Sequence, residues 1–265
     1  PDLPDSLGEQ IVRRAAGMPF YLEEILRSLI ESGVIHHTVD GWRLTPGAET
    51  ARIGVPESVQ SLILTRFDRL DPYPRRILQS AAVIGDRFRL AVLRIVLADM
   101  PSGALSEGLT FLADREFLMP DMSGPEVMYN FRHALVSDAI YSTLLQRDRA
   151  DLHGRVGLAI EALYPNRLEG QVEVLAGHFL RSSMLDRALR YLILSGLKAS
   201  AAYANDQALH HFQQAQEILD KVEHTPEQAV QVEIGLGDAQ VTAGEYVAAL
   251  EHYQAVEARQ DISGR

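Results

Sequence analysis

Apolar residues recur at helical spacing from Leu7 to Ala16 and again from Phe20 to Gly33, where Leu22, Ile25, Leu26, Leu29 and Ile30 form one stripe, and Gly17-Met18-Pro19 separates the two segments. Val34 to Leu44 changes to a strand-like pattern around Asp40-Gly41, a dipeptide suited to a type I′ turn, which predicts a small β-hairpin. After Gly54-Val55-Pro56, four helical stretches follow in close order: Glu57 to Leu70, Pro72 to Ile84, Leu90 to Leu97 and Ser102 to Phe117. Their short connectors imply mutual packing. Next, Phe117-Leu118-Met119 and Val127-Met128-Tyr129 flank a turn at Asp121-Met122-Ser123-Gly124-Pro125, a pattern of two strands and a wing. Helices followed by a β-wing predict a winged helix.

From His133 onward the pattern is helical almost throughout, with breaks at Tyr164-Pro165-Asn166, Ser182-Ser183, Ala204-Asn205-Asp206, His224-Thr225-Pro226 and Ala243-Gly244. Helices of that length suit a paired-helix solenoid. Ala208, Phe212 and Ala215 have the small, aromatic, small spacing of the second helix of a tetratricopeptide unit, and Leu236-Gly237, Ala249 and Tyr253 continue in register. Val256 stands where a further small residue is expected, and the interval from Ala208 to Ala249 exceeds the usual period, so a generic helical bundle is the other reading. The predicted fold class is mainly α: two helices with a β-hairpin over 1–50, a winged-helix domain over 51–165, and tetratricopeptide-like repeats over 166–265.

Charge narrows the partners. With 25 Lys and Arg against 36 Asp and Glu the chain carries a formal charge of -11, which repels polyanions and anionic membranes on average. The helix before the wing carries Glu107, Asp114 and Glu116 against Arg115, a face that disfavours DNA. Arg147, Arg149 and Arg155 are interspersed with Asp148 and Asp151, as on a solvated or salt-linked face. No apolar run is long enough to span a bilayer, and the start lacks a secretory pattern, so a cytoplasmic location is expected. Pro1 and the helical pattern running up to Arg265 read as cuts in a longer chain.

Catalytic patterns are missing from the sequence. There is no cysteine, which removes thiolate metal sites and cysteine nucleophiles. Lys198 and Lys221 are the only lysines, and neither has the flanking residues of a P-loop. Gly235-Leu236-Gly237 begins like a dinucleotide fingerprint but lacks the preceding strand and third glycine, so helix packing explains it better. His36-His37 and His210-His211 are adjacent pairs that point to different faces and suit no shared metal ion. Glu23-Glu24 and Asp71 read as helix-surface charge. The expectation is a segment that is not itself an enzyme and holds no metal.

An ordered series remains: Gly17-Met18-Pro19-Phe20-Tyr21-Leu22-Glu23-Glu24, Val55-Pro56-Glu57-Ser58-Val59-Gln60, Phe131-Arg132-His133-Ala134-Leu135-Val136 and Leu152-His153. Together these resemble the STAND class of signal-transduction ATPases, in particular bacterial multidomain regulators joined to adenylate cyclase, kinase or transcriptional output domains. The resemblance implies ATP or ADP as cofactor, bound mainly by an ATPase core absent from these residues. In that family a Gly-x-Pro turn of the lid packs on adenine, which falls on Gly17 and Pro19. A winged-helix histidine reaches the β-phosphate of ADP, which falls on His133; Arg132 and Ala134 stand where the family motif has Met and Asp. The implied partners are that core and a protein or peptide on the helical repeats. Two other readings are a nucleotide-independent interaction scaffold and a DNA-binding transcription regulator.

Overall fold

The computed structural model describes residues 5–15, 17–38, 41–45 and 58–263. Among these the chain is mainly α, with two small sheets, one of two strands and one of three. Two compact units interleave along it: residues 1–87 with 100–143, and residues 88–99 with 144–265. The segment 51–165 therefore contributes to both.

The first unit begins with helices α1 (Asp5–Ala15) and α2 (Pro19–Glu31) and the hairpin of β1 (Ile35–Thr38) and β2 (Gly41–Leu44). Pro19 opens α2 where its missing N–H would have had no helical partner anyway. Thr38 pairs with Gly41, so Gly41 starts β2 rather than sitting within the turn, and the connecting residues 39 and 40 lie outside the described residues. So do Gly54, Val55, Pro56 and Glu57. Ile11, Tyr21, Ile25, Leu29, Ile35 and Leu62 form a buried cluster, with Leu22, Leu26 and Leu44 packed against it. Ile30, expected on the apolar stripe, is exposed.

Helix α3 (Val59–Asp68) is started by a capping box in which the Ser58 hydroxyl accepts from the Ser61 N–H. Helix α4 (Pro72–Ile84) ends at Gly85. Strand β3 (Arg87–Arg89) and α5 (Leu90–Val96) follow, then α6 (Ala104–Asp114), β4 (Leu118–Asp121), β5 (Met128–Phe131) and α7 (Ala134–Ser142). Strands β4 and β5 pair antiparallel from Leu118 opposite Phe131 to Asp121 opposite Met128, and the Phe131 N–H donates to the Asp86 carbonyl at 2.8 Å. The turn between them is held by Asp121, whose Oδ1 accepts from the Ser123 N–H at 3.0 Å. Bonds from Ser123, aided by Arg87, hold the Asp121 carboxyl below its ordinary pKa. Within this unit α4 packs on α6 and α7, and α3 packs on α2 and α7.

In the second unit α5 packs on α8 (Gln146–Leu163), and a 3-10 turn at Leu168–Gln171 leads into α9 (Val172–Leu180), α10 (Leu185–Ala201), α11 (Asn205–Leu219), α12 (Pro226–Ala243) and α13 (Tyr246–Ser263). From α8 to α13 each helix packs on the next. Aromatic rings and glycines interlock along this series. A Cβ on Gly157 would stand 2.7 Å from the Phe179 ring, one on Gly196 or Gly235 would meet the Phe212 ring at 2.7 or 2.4 Å, and one on Gly237 would meet Tyr253 at 2.7 Å. The glycines of Gly235-Leu236-Gly237 thus lie inside α12 and admit two aromatic rings from neighbouring helices. No helix among the described residues is long and apolar enough to cross a membrane.

Candidate functional site

Gly17 adopts φ +80°, a left-handed conformation that glycine takes without strain, and this turns the chain sharply from α1 into α2. The Met18 N–H donates to Ala15 O at 2.8 Å, and the Met18 carbonyl accepts from Leu22 as α2 begins. Gly17, Met18 and Pro19 remain exposed at this turn. Directly after it, the Phe20 ring lies 3.8 Å, centroid to centroid, from the imidazole of His133, with the planes tilted by 43°. His133 is at the N-cap of α7 in extended conformation and makes no side-chain cap bond. Its Nε2 is buried and has no hydrogen-bond partner among the described residues. Two segments more than a hundred residues apart in sequence therefore meet here, the Gly17–Pro19 turn through its neighbour Phe20. A buried imidazole nitrogen without a partner forgoes about 1–3 kcal/mol of hydrogen bonding, and in either tautomer it can meet a polar atom of a ligand.

Phe20 is the first residue of a stripe along α2 that continues through Glu24, Arg27 and Glu31, positions that share one face of a helix. Glu24 is 1% exposed and Arg66 3%, so the expectation of helix-surface charge is corrected for Glu24, whose burial follows from its pairing with Arg66. Glu23 is exposed. Arg66 on α3 donates to Glu24 from Nη1 and grips Glu31 with both Nε and Nη2, at 3.0 and 2.9 Å. Its Nη2 also donates to the Arg115 carbonyl at 2.8 Å, and its guanidinium lies 4.5 Å from the centre of the Phe117 ring. Arg27 donates to Glu24 at 3.1 Å and to Glu116, and Arg132, next to His133, lies 3.8 Å from Glu116. This linked set of charges ties α2, α3, the turn after α6 and the residue preceding His133 to one another.

Sequence reasoning missed this network. The signal was present: Glu24 falls three residues after Tyr21 and next to Ile25, both buried, so a charge intrudes at the edge of the apolar stripe. Periodicity alone does not reveal that Arg66, 42 residues away, neutralises it.

In the second unit His153 and His178 are both buried, and their Nδ1 atoms are 2.9 Å apart, a separation at which one ring donates and the other accepts. Burial pushes His153 down to about 3, reinforced by His178, Arg181 and Arg149. It pushes His178 down to about 4, with Arg181 adding to the effect. At neutral pH both rings are uncharged. His210 and His211 have ring centroids 5.9 Å apart, and no group of three or more metal-ligating side chains occurs among the described residues.

No protein-family model matches the chain. Over 213 residues, 80% of its length, the chain is 27% identical to an uncharacterized protein of Rhizobium meliloti (strain 1021). It spans only 20% of that relative's own length.

Proposed function

We propose that this chain is a non-catalytic regulatory segment of a STAND-type, ATP-binding signalling protein of the cytoplasm. Its lid and winged helix sense the nucleotide state, and its tetratricopeptide-like helices receive a protein or peptide partner. ATP or ADP is held mainly by a P-loop core carried elsewhere in the parent protein, while Gly17 and Pro19 approach the base and His133 a phosphate. The observation that carries this reading is the contact between Phe20 and His133, which gathers the Gly-x-Pro turn and a buried, unpartnered imidazole nitrogen in one place. Further support comes from the Glu24–Arg66 network, which joins the same helix to the elements around His133. A charged junction of this kind suits an element that exchanges between two packings, because its pairs are directional and are either made or broken.

In the closed form ADP satisfies His133 and holds the lid and winged helix together. Exchange of nucleotide, or a partner on the helical array, releases them. His133→Ala in the full-length protein is expected to raise its basal output, which an output assay on wild type and variant reads directly. Unchanged output would favour the nucleotide-independent scaffold instead.

A further inference from the structure

A half-open cavity of about 410 Å³ lies within the second unit, in the size range of small-ligand sites. Leu168 and Glu169 of the 3-10 turn and Val172 at the start of α9 form one wall. Arg190, Tyr191, Leu194 and Lys198 of α10 form the other, on one side of that helix. Two of the polar groups are already used internally: Tyr191 donates to Glu161 at 2.7 Å, and Lys198 pairs with Glu173 at 2.8 Å. Burial and the bond to Glu161 push the Tyr191 hydroxyl up to about 12, so it stays a donor facing away from any second role.

Arg190 and Glu169 differ from these. Among the described residues the Arg190 guanidinium lies over the Tyr191 ring at 5.6 Å and makes no ion pair, and Glu169 makes none. The two opposite charges border one cavity without forming an ion pair, and apart from the paired Lys198 and Tyr191 the remaining lining, Leu168, Val172 and Leu194, is apolar. That arrangement complements a small zwitterion with an apolar body. A carboxylate fits the two-pronged donor of Arg190, an ammonium fits Glu169, and an apolar side chain lies against Leu168, Val172 and Leu194. Lys198 has its charge paired with Glu173, so among the described residues a dianion or polyphosphate would find one unpaired cation there, Arg190, and the like charge of Glu169. We propose that this cavity binds a free α-amino acid with an apolar or aromatic side chain.

Isothermal titration calorimetry of the 265-residue chain at neutral pH with L-phenylalanine and L-leucine tests this. Two analogues separate the charges: 3-phenylpropionate lacks the ammonium and phenethylamine lacks the carboxylate. Saturable one-to-one binding of at least one amino acid is expected, with each analogue weaker by about tenfold or more, as for the loss of one charge-assisted hydrogen bond. Arg190→Gln and Glu169→Gln should each weaken binding by a similar factor while circular dichroism stays unchanged, since both side chains are exposed. No saturable heat with either amino acid up to about 10 mM would overturn the proposal. So would 3-phenylpropionate binding as tightly as L-phenylalanine, or wild-type affinity in both variants.

Discussion

Where α2 meets α3, Glu24, Arg66 and Glu31, buried or half-buried charges that must all be paired at once, lie beside the apolar cluster that includes Ile25, Leu29 and Leu62. Along α8 to α13 contact runs through Phe179, Phe212 and Tyr253, rings seated on glycines of neighbouring helices. Apolar packing is tolerant of salt and charge but intolerant of added volume, because interiors are close-packed. A buried ion pair is the reverse: it contributes little net stability when made, yet breaking one side leaves a charge stranded. The first arrangement therefore suits a junction with discrete states, and the second a series of helices that keeps its shape.

Several substitutions sharpen that contrast. The largest effect is expected for Arg66→Ala, which strips the main partner from Glu24 and should lower stability by about 3–5 kcal/mol in urea unfolding. The Glu24→Leu/Arg66→Met pair should recover most of that loss, and a double variant as unstable as the single one would count against a stranded charge as the cause. Gly235→Ala comes next, because its Cβ would stand 2.4 Å from the fully buried Phe212 ring. Overpacking costs about 1–3 kcal/mol, offset in part by the better helix propensity of alanine. Gly170→Ala, where nothing lies within 4 Å, is the control and should leave stability nearly unchanged.

Acid should act on these helices through His153 and His178, a buried pair bonded to each other, unlike His252, which is bound to Glu233. Their folded pKa values lie below the ordinary 6.5, so the unfolded chain binds protons that the folded chain refuses. Their stabilising contribution is complete above about 6.5 and declines as pH falls towards the folded values, by about 1 kcal/mol for each histidine between pH 7 and 5.5. Urea titrations across that range should show the decline in wild type and a flatter profile in His153→Asn/His178→Asn. Equal profiles would remove the histidine pair from the explanation. Apart from the Gly170→Ala control, the smallest effect is at Thr225, whose hydroxyl accepts from the Gln228 N–H at 3.3 Å to start α12; Thr225→Ala should cost about 1 kcal/mol, read as a small shift in the urea midpoint.

The mainly α fold was legible where local chemistry marks it. Pro72 and Gly85 bracket α4, and a Ser-Gly-Pro turn separates β4 from β5, so those elements fall where the pattern predicts. The three-residue β3 left no period to read, and the break between α7 and α8 lies at Thr143-Leu144-Leu145, which contains neither Gly nor Pro. Gly17, Pro19 and His133 were legible only as members of an ordered series of motifs. The Phe20 contact and the Glu24–Arg66 network were not legible, because side-chain partners 113 and 42 residues apart leave no spacing in the chain.

The most direct test of a nucleotide-sensing role is the rate at which the full-length protein releases fluorescent ADP, compared between wild type and His133→Ala. Loss of one hydrogen bond that favours the closed form by about 1–3 kcal/mol should accelerate release by about 5- to 150-fold. Release at the wild-type rate from a variant with wild-type circular dichroism would contradict the account.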